Sequence, residues 1–252
     1  MTDACIESTY LSGQGALLIA ERNIDGSPKG FREVGNVSAV NLGVETTVFE
    51  HKNSCDGTRG IDLEIVQEIN VSLTMTIEHM SKENLADALY GTSNAVAGAS
   101  ATDEAVVAYH DLWSRLENCQ VSSVVVTGTG GTPTYVVDTD YELNAVAGTI
   151  KALSTGSISD LDALEVSYTY AAQDNVEGVT SSSAPIRWVR FEGLNTADSD
   201  NPVIADVFKA SLQPLAELAL ITDEITQMEV ETKVLSDALR SSGSNYFRLR
   251  KV

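Results

Sequence analysis

Between Arg32 and Asn53 the text REVGNVSAVNLGVETTVFEHKN alternates, with Val34, Val40, Leu42, Val44 and Val48 on one parity and mostly polar residues between them. A two-residue period of this kind is the mark of a strand that buries one face. One long strand or two fit, with Gly35 or Gly43 as the place for a bulge. After the polar stretch NSCDGTRG, from Asn53 to Gly60, the alternation resumes in IDLEIVQEINVSLTMTIEHM through Ile61, Leu63, Ile65, Val71, Leu73, Met75 and Ile77. The two halves predict a long hairpin with a polar tip. Upstream, GALLIAERN is a short apolar run closed by IDGSPKG, a strand followed by a turn-rich loop.

The period changes once. Ser81 stands where a helix N-cap belongs, Leu85, Ala88 and Leu89 of KENLADALYG share a helical face, and Gly91 can end the helix. Thr92 to Asp103 is small and polar and reads as a loop. The following AVVAYHDLWSRLEN fits both periods, and a strand is the expectation. From Val121 onward, runs rich in Val, Thr, Tyr and Ile are each closed by Gly, Pro, Asn or Asp. The last quarter alternates through Met228, Val230 and Thr232 and closes with Tyr246, Leu249 and Val252 in a basic strand. No repeat of solenoid or propeller length is visible. The pattern predicts a mainly β chain: an antiparallel β-sandwich or barrel with one short flanking α-helix and a long hairpin loop. We expect a single β domain over 1–252, with room for a β-rich insertion at about 119–178.

Composition narrows the function. With 43% hydrophobic and 21% charged residues the chain has a globular balance, and no run approaches the roughly 18 apolar residues of a membrane helix. The N-terminal segment carries Asp3 and Glu7 where a secretory signal needs positive charge, so synthesis in a cytoplasm is the expectation. Cys5, Cys55 and Cys119 are odd in number and form no CxxC pair, which argues for reduced thiols rather than a disulfide frame or zinc site. A net charge of -20 argues against tight binding to nucleic acid, whose affinity comes from Lys and Arg displacing counterions.

The sequence carries few signatures of chemistry. TGTGGT, at Gly128, Gly130 and Gly131, is followed by Pro133 and an apparent strand rather than the helix a phosphate cradle requires, so a hairpin turn is expected. There is no GxxxxGK[ST] and no GxSxG. His51, His79 and His110 have no ligand spacing. Asp138, Asp140 and Glu142, Asp160 and Asp162, and Asp198 and Asp200 recur at two-residue spacing but lack an EF-hand's glycine and closing glutamate, so strand ends and turns are favoured over calcium. Trp113 and Trp188 read as core or interface anchors. No catalytic residue, cofactor or metal is expected.

The order of elements, together with GALLIAERN...GFREVGNVSAVNLGVETTVFEHKN, YVVDTDYELN...GTIKAL...ALEVSYTYAA and the closing ALITDEITQMEVETKVLSD, resembles the major tail tube protein of long-tailed, siphovirus-like bacteriophages. The likeness covers most of the chain and is weakest from Thr92 to Asn118. It implies a subunit that self-assembles into hexameric rings, stacked into a tube in the virion tail after synthesis in the host bacterial cytoplasm. Tail tip, tape measure and tail terminator proteins are the implied partners, and DNA passes through without specific binding. An acidic wall suits such a conduit, since attraction to phosphates would stall the duplex. Glu45, Glu64, Glu68 and Glu78 are candidates for that wall, and Lys52, Asn53, Asp56 and Arg59 for contacts between subunits or rings. Two other readings remain open at this point: a β-sandwich capsid-decoration or host-attachment module, and an enzyme whose site gathers scattered carboxylates.

Overall fold

The structure, a computed structural model, describes residues 10–55, 57 and 59–251. In chain order its elements open with β1 (Gly13–Arg22), β2 (Pro28–Glu33), β3 (Val37–Lys52), β4 (Ile61–Ile77) and the helix α1 (Lys82–Ala88). Then come β5 (Thr92–Val96), β6 (Ala99–Val107), β7 (Trp113–Arg115), β8 (Val121–Gly128), β9 (Thr134–Tyr135), β10 (Tyr141–Asn144), β11 (Thr149–Ala152), β12 (Ala163–Tyr170) and β13 (Gln173–Glu177). The chain closes with β14 (Ile186–Asn195), β15 (Asn201–Leu212), β16 (Met228–Val234) and β17 (Phe247–Lys251). The chain is mainly β, its strand pairs are antiparallel, and α1 is the single helix among the described residues.

Contacts divide the chain into two compact units, one made of the residues up to Thr92 and from Val176 onward, the other of Ser93–Asn175. The first unit is built on one sheet in the order β2-β1-β14-β15-β16-β4-β3, with β17 added on β15. Its alternating strands bury one parity each. Val71, Leu73, Met75 and Ile77 of β4 are buried, as are Met228, Val230, Thr232 and Val234 of β16, while Glu229, Glu231 and Lys233 between the latter are exposed. Leu17 and Ile19 of β1 and Val189 of β14 enter the same apolar cluster. Strands from both ends of the sheet therefore share one core, which requires the sheet to close over itself as a sandwich does.

Ser81 caps α1 as expected, its Oγ accepting from the Asn84 N–H at 3.2 Å, and the Gly91 N–H closes the helix on the Ala86 carbonyl at 2.8 Å. Seven residues are too few for a helix to hold by propensity, and α1 is tied down by polar contacts. Buried Asn84 donates to the Val34 and His79 carbonyls at 2.8 and 2.9 Å and accepts from Arg32. Asp87 meets Arg32 at 2.7 Å and Arg187 at 2.6 Å.

In the second unit one sheet runs β6-β12-β8-β9 and another β10-β11-β7, around a core that includes Val126, Ile150, Leu164, Val166 and Tyr168. This unit corrects one expectation. The stretch from Thr92 to Asp103 is β5 and the start of β6 rather than a loop. Its Ala, Ser and Thr residues show no apolar period, but β6 pairs along β12 from Ala99 opposite Tyr170 to Val107 opposite Ala163, so the ladder rather than the side chains makes the strand. AVVAYHDLWSRLEN is divided between the end of β6, a turn and β7.

The Asp140 carboxylate, buried in this unit, accepts from the Val136 and Ser157 backbone N–H groups, each at 2.8 Å. Those two bonds hold its pKa below the usual carboxylate value, Val136 first, because they favour the charged form. A depressed folded pKa adds stability that is full above the unfolded pKa of about 3.9 and is lost as pH falls through the folded value. We therefore expect Asp140→Asn to destabilise the second unit at neutral pH and to narrow the gap from the parent as the acid is titrated in. Thermal unfolding at pH 7 and near pH 3 measures both.

Candidate functional site

β3 and β4 are 16 and 17 residues long, far beyond the five or six residues typical of a strand. The inner part of the ladder belongs to the core, with Val40 opposite Met75 and Leu42 opposite Leu73. β16 accompanies β4 only from Val71 to Ile77. Beyond that the hairpin continues as a two-stranded arm, and all ten residues Ile61–Asn70 are exposed. At about 3.3 Å per residue this length of strand reaches roughly 30 Å.

The arm has two different faces. Residues directly opposite in a ladder share a face, and Val44 with Val71 and Thr46 with Ile69 continue the core face outward. At Thr47/Val48 the register shifts: Thr47 is opposite Glu68, but Val48 is opposite Val66. β4 thus carries an extra residue, Gln67, and its alternation switches sides at this bulge. The outward core face then runs Val44, Thr46, Val48 with Ile69 and Val66, and reaches Glu50 opposite Glu64. The other face carries Glu45 opposite Asn70, Thr47 opposite Glu68, then Phe49 opposite Ile65 and His51 opposite Leu63. Leu63, Ile65, Val66 and Ile69 are 51%, 49%, 53% and 53% exposed, an unusual amount of aliphatic surface for one hairpin.

The four glutamates proposed for an acidic wall are therefore not one group. Glu45 and Glu68 lie on one face of the arm and Glu64 on the other, although equal parity in the sequence puts Glu64 and Glu68 together. Glu78 lies past the inner end of β4, where its backbone N–H donates to the Asn36 carbonyl at 2.9 Å and its carboxylate accepts from Asn36 and from Gln227.

At the tip, Lys52 ends β3 and is exposed. Asn53 donates its backbone N–H to the Gly60 carbonyl at 2.8 Å and accepts the Cys55 N–H on Oδ1 at 2.8 Å, so it organises the turn. Arg59 is exposed at φ 53, a left-handed conformation that costs a side-chain-bearing residue strain. Asp56 lies outside the described residues. Below the tip, His51 Nδ1 and Asp62 Oδ1 are 2.6 Å apart.

The other candidate features have local structural partners. Gly130 and Gly131 form the β8–β9 hairpin turn, and both donate backbone N–H groups to Glu165 Oε2 at 3.1 Å, so the chain's own carboxylate fills that cradle. Asp160 accepts from the His110 N–H at 2.9 Å, Asp162 from the Ser159 N–H at 2.9 Å, Glu142 pairs with Lys151 at 2.7 Å, and Asp198 with Lys251 at 3.0 Å. Among the described residues no cluster of three or more His, Cys, Asp or Glu is placed to hold a metal ion. Cys55 and Cys119 are free thiols. Trp188 packs edge-on to Phe208 at 5.1 Å, whereas Trp113 is exposed with the Lys151 ammonium 5.1 Å from its ring centre. No described helix is long and apolar enough to cross a membrane.

The exposed aliphatic residues of the arm were not singled out from the sequence, where they counted only as strand alternation. The available signal was length: an alternating run of this extent is more than the chain's own core can cover.

Comparison with curated proteins gives no match. A family model described as "Protein of unknown function UCP028589" matches residues 10–250, nearly the whole sequence, and the chain belongs to that family.

Proposed function

We propose that this protein is the structural subunit of a phage tail tube, assembling into stacked hexameric rings that enclose an electronegative path for DNA. The observation that carries the reading is the arm. A two-stranded hairpin is marginal by itself in water, and this one exposes aliphatic side chains on both faces as well as the free outer edge of β3, the last strand of its sheet. An open edge of that length invites pairing with another chain. In a ring the same features become contacts repeated by every copy.

The acidic composition fits the same reading. With the continuation of the core face covered by neighbours, Glu45 and Glu68 are left on the opposite face, where like charge would keep a duplex from binding. The resemblance to tail tube proteins adds tape measure, tail tip and tail terminator proteins as partners and the virion tail as the location. No step of this function requires a cofactor.

Sedimentation and negative-stain microscopy of the concentrated protein test the proposal. Rings or tubes are expected, and a monomer across a wide concentration range with no rings would sink it. The tip has its own test. Deletion of Ser54–Thr58, or Arg59→Glu, should leave a folded subunit that assembles poorly, because the tip would no longer reach the adjacent subunit or ring. Normal tubes from the deletion variant at normal concentration would make the loop a passive connection.

A further inference from the structure

A slot of about 690 Å³ opens in the first unit between the start of β1 and the start of β3. Gly13, Gln14, Ser38 and Val40 are among its walls, and the buried side chains of Leu17 and Val189 also line it. β2 pairs with β1 only from Leu18 to Arg22, so the first half of β1 has no strand on this side. The slot lining contains no Asp, Glu, Lys or Arg.

The slot and the apolar face of the arm are successive stretches of one surface. Leu42 and Leu73, opposite each other in the ladder, line the slot, and the next pairs outward on that face are Val44 with Val71 and Thr46 with Ile69. β3 runs unbroken from Val37 to Lys52, leading the stripe away from the slot. The arm's stripe therefore does not cover its own slot, and slot and stripe are both left open by the described residues. Each copy carries a net charge of -20, so copies repel wherever charge faces charge. Slot and stripe are both uncharged until the stripe reaches Glu50 and Glu64.

We infer that the slot of one copy receives the Val44, Val48, Val66 and Ile69 face of the arm of a second copy. The contact is head-to-tail: arm meets slot, not arm meets arm, and a joined pair keeps one free slot on the copy that gave its arm and one free arm on the copy that received it. Such contacts propagate into a closed ring or an open filament instead of stopping at a dimer. This inference rests on the tube reading and adds the receiving surface and the polarity of the joint.

The test is a mixed disulfide in the full chain with Cys5, Cys55 and Cys119 replaced by serine. Ser38→Cys, at an exposed position of the slot, and Val66→Cys, on the arm, are made in separate proteins, checked by thermal unfolding, then mixed and gently oxidised. Cross-linked dimer is expected from the mixture and not from either protein alone. If Ser38→Cys lowers the unfolding temperature, Gln14→Cys on the facing wall replaces it. Cross-linking of Val66→Cys with itself would show arm against arm and overturn the inference. A mixture that forms rings without cross-linking would overturn the contact and leave the tube reading standing, whereas the absence of any assembly would overturn both.

Discussion

Asp206→Ala is expected to cost the first unit about 2–3 kcal/mol, the usual worth of charge-assisted hydrogen bonds to a buried carboxylate whose arginine partners, 22% and 47% exposed, still reach water. Asp206 is 2% exposed on β15 and takes Arg190 from β14 at 2.9 Å and Arg250 from β17 at 3.1 Å. Arg190 also donates from Nε to Glu192 at 2.6 Å, and Glu192 first, then Asp206, push its pKa above the ordinary guanidinium value. One carboxylate thus joins three neighbouring strands across the sheet. Its loss leaves two guanidinium groups without that partner and weakens the ladder that joins β17 to β15, whose register places Arg248 opposite Asp206.

Total stabilities of domains lie at about 5–15 kcal/mol, so a loss of this size is a large fraction. It corresponds to a drop in unfolding temperature on the order of 10 °C for a unit of this length. Trp188, packed on Phe208 in the same unit, reports it by fluorescence if Trp113 is first replaced by phenylalanine. Asp206→Asn, which keeps an acceptor and loses the charge, should fall between the two. An unfolding temperature for Asp206→Ala within a degree or two of the parent would show that the cluster is not structural.

Alternation made much of the first unit legible, and its reason is physical. Where one face of a strand is buried by its own chain, every second side chain must be apolar, and Val71 to Ile77 and Met228 to Val234 obey this closely. The helix was legible from Ser81 because a cap is a local device. Elements whose core-facing side chains are small were not: β6 begins with Ala99, Ser100 and Ala101, and although Ala101 packs on the core of the second unit, it gives no strong apolar signal. The bulge was equally hidden, since an extra residue such as Gln67 leaves no mark in composition, yet it decides which face Glu64 shares. The acidic wall expected from the charge and the resemblance therefore divides into two faces of the arm and a third, separate place at Glu78.

Val48→Asp combined with Val66→Asp places two carboxylates opposite each other on the face that continues the core stripe, next to Glu50 and Glu64. The folded monomer should tolerate this well, because Val66 is 53% exposed and neither residue belongs to the apolar core. Its unfolding temperature is expected to stay within a few degrees of the parent. Assembly is another matter. Burying a valine side chain is worth about 1.5 kcal/mol or more, and a carboxylate in its place must be desolvated beside others of the same sign. Two such changes at every joint should raise the concentration needed for rings by a factor on the order of 100 or more, since each 1.4 kcal/mol is tenfold. Thr47→Asp combined with Asn70→Asp, on the other face beside Glu45 and Glu68, is the control: it adds the same two charges to the same arm and should assemble far better than the first double variant. Sedimentation velocity across a concentration series separates the two. Equal loss of assembly in the control would mean that total charge rather than the stripe governs association, and equal assembly in all three proteins would remove the arm from the interface.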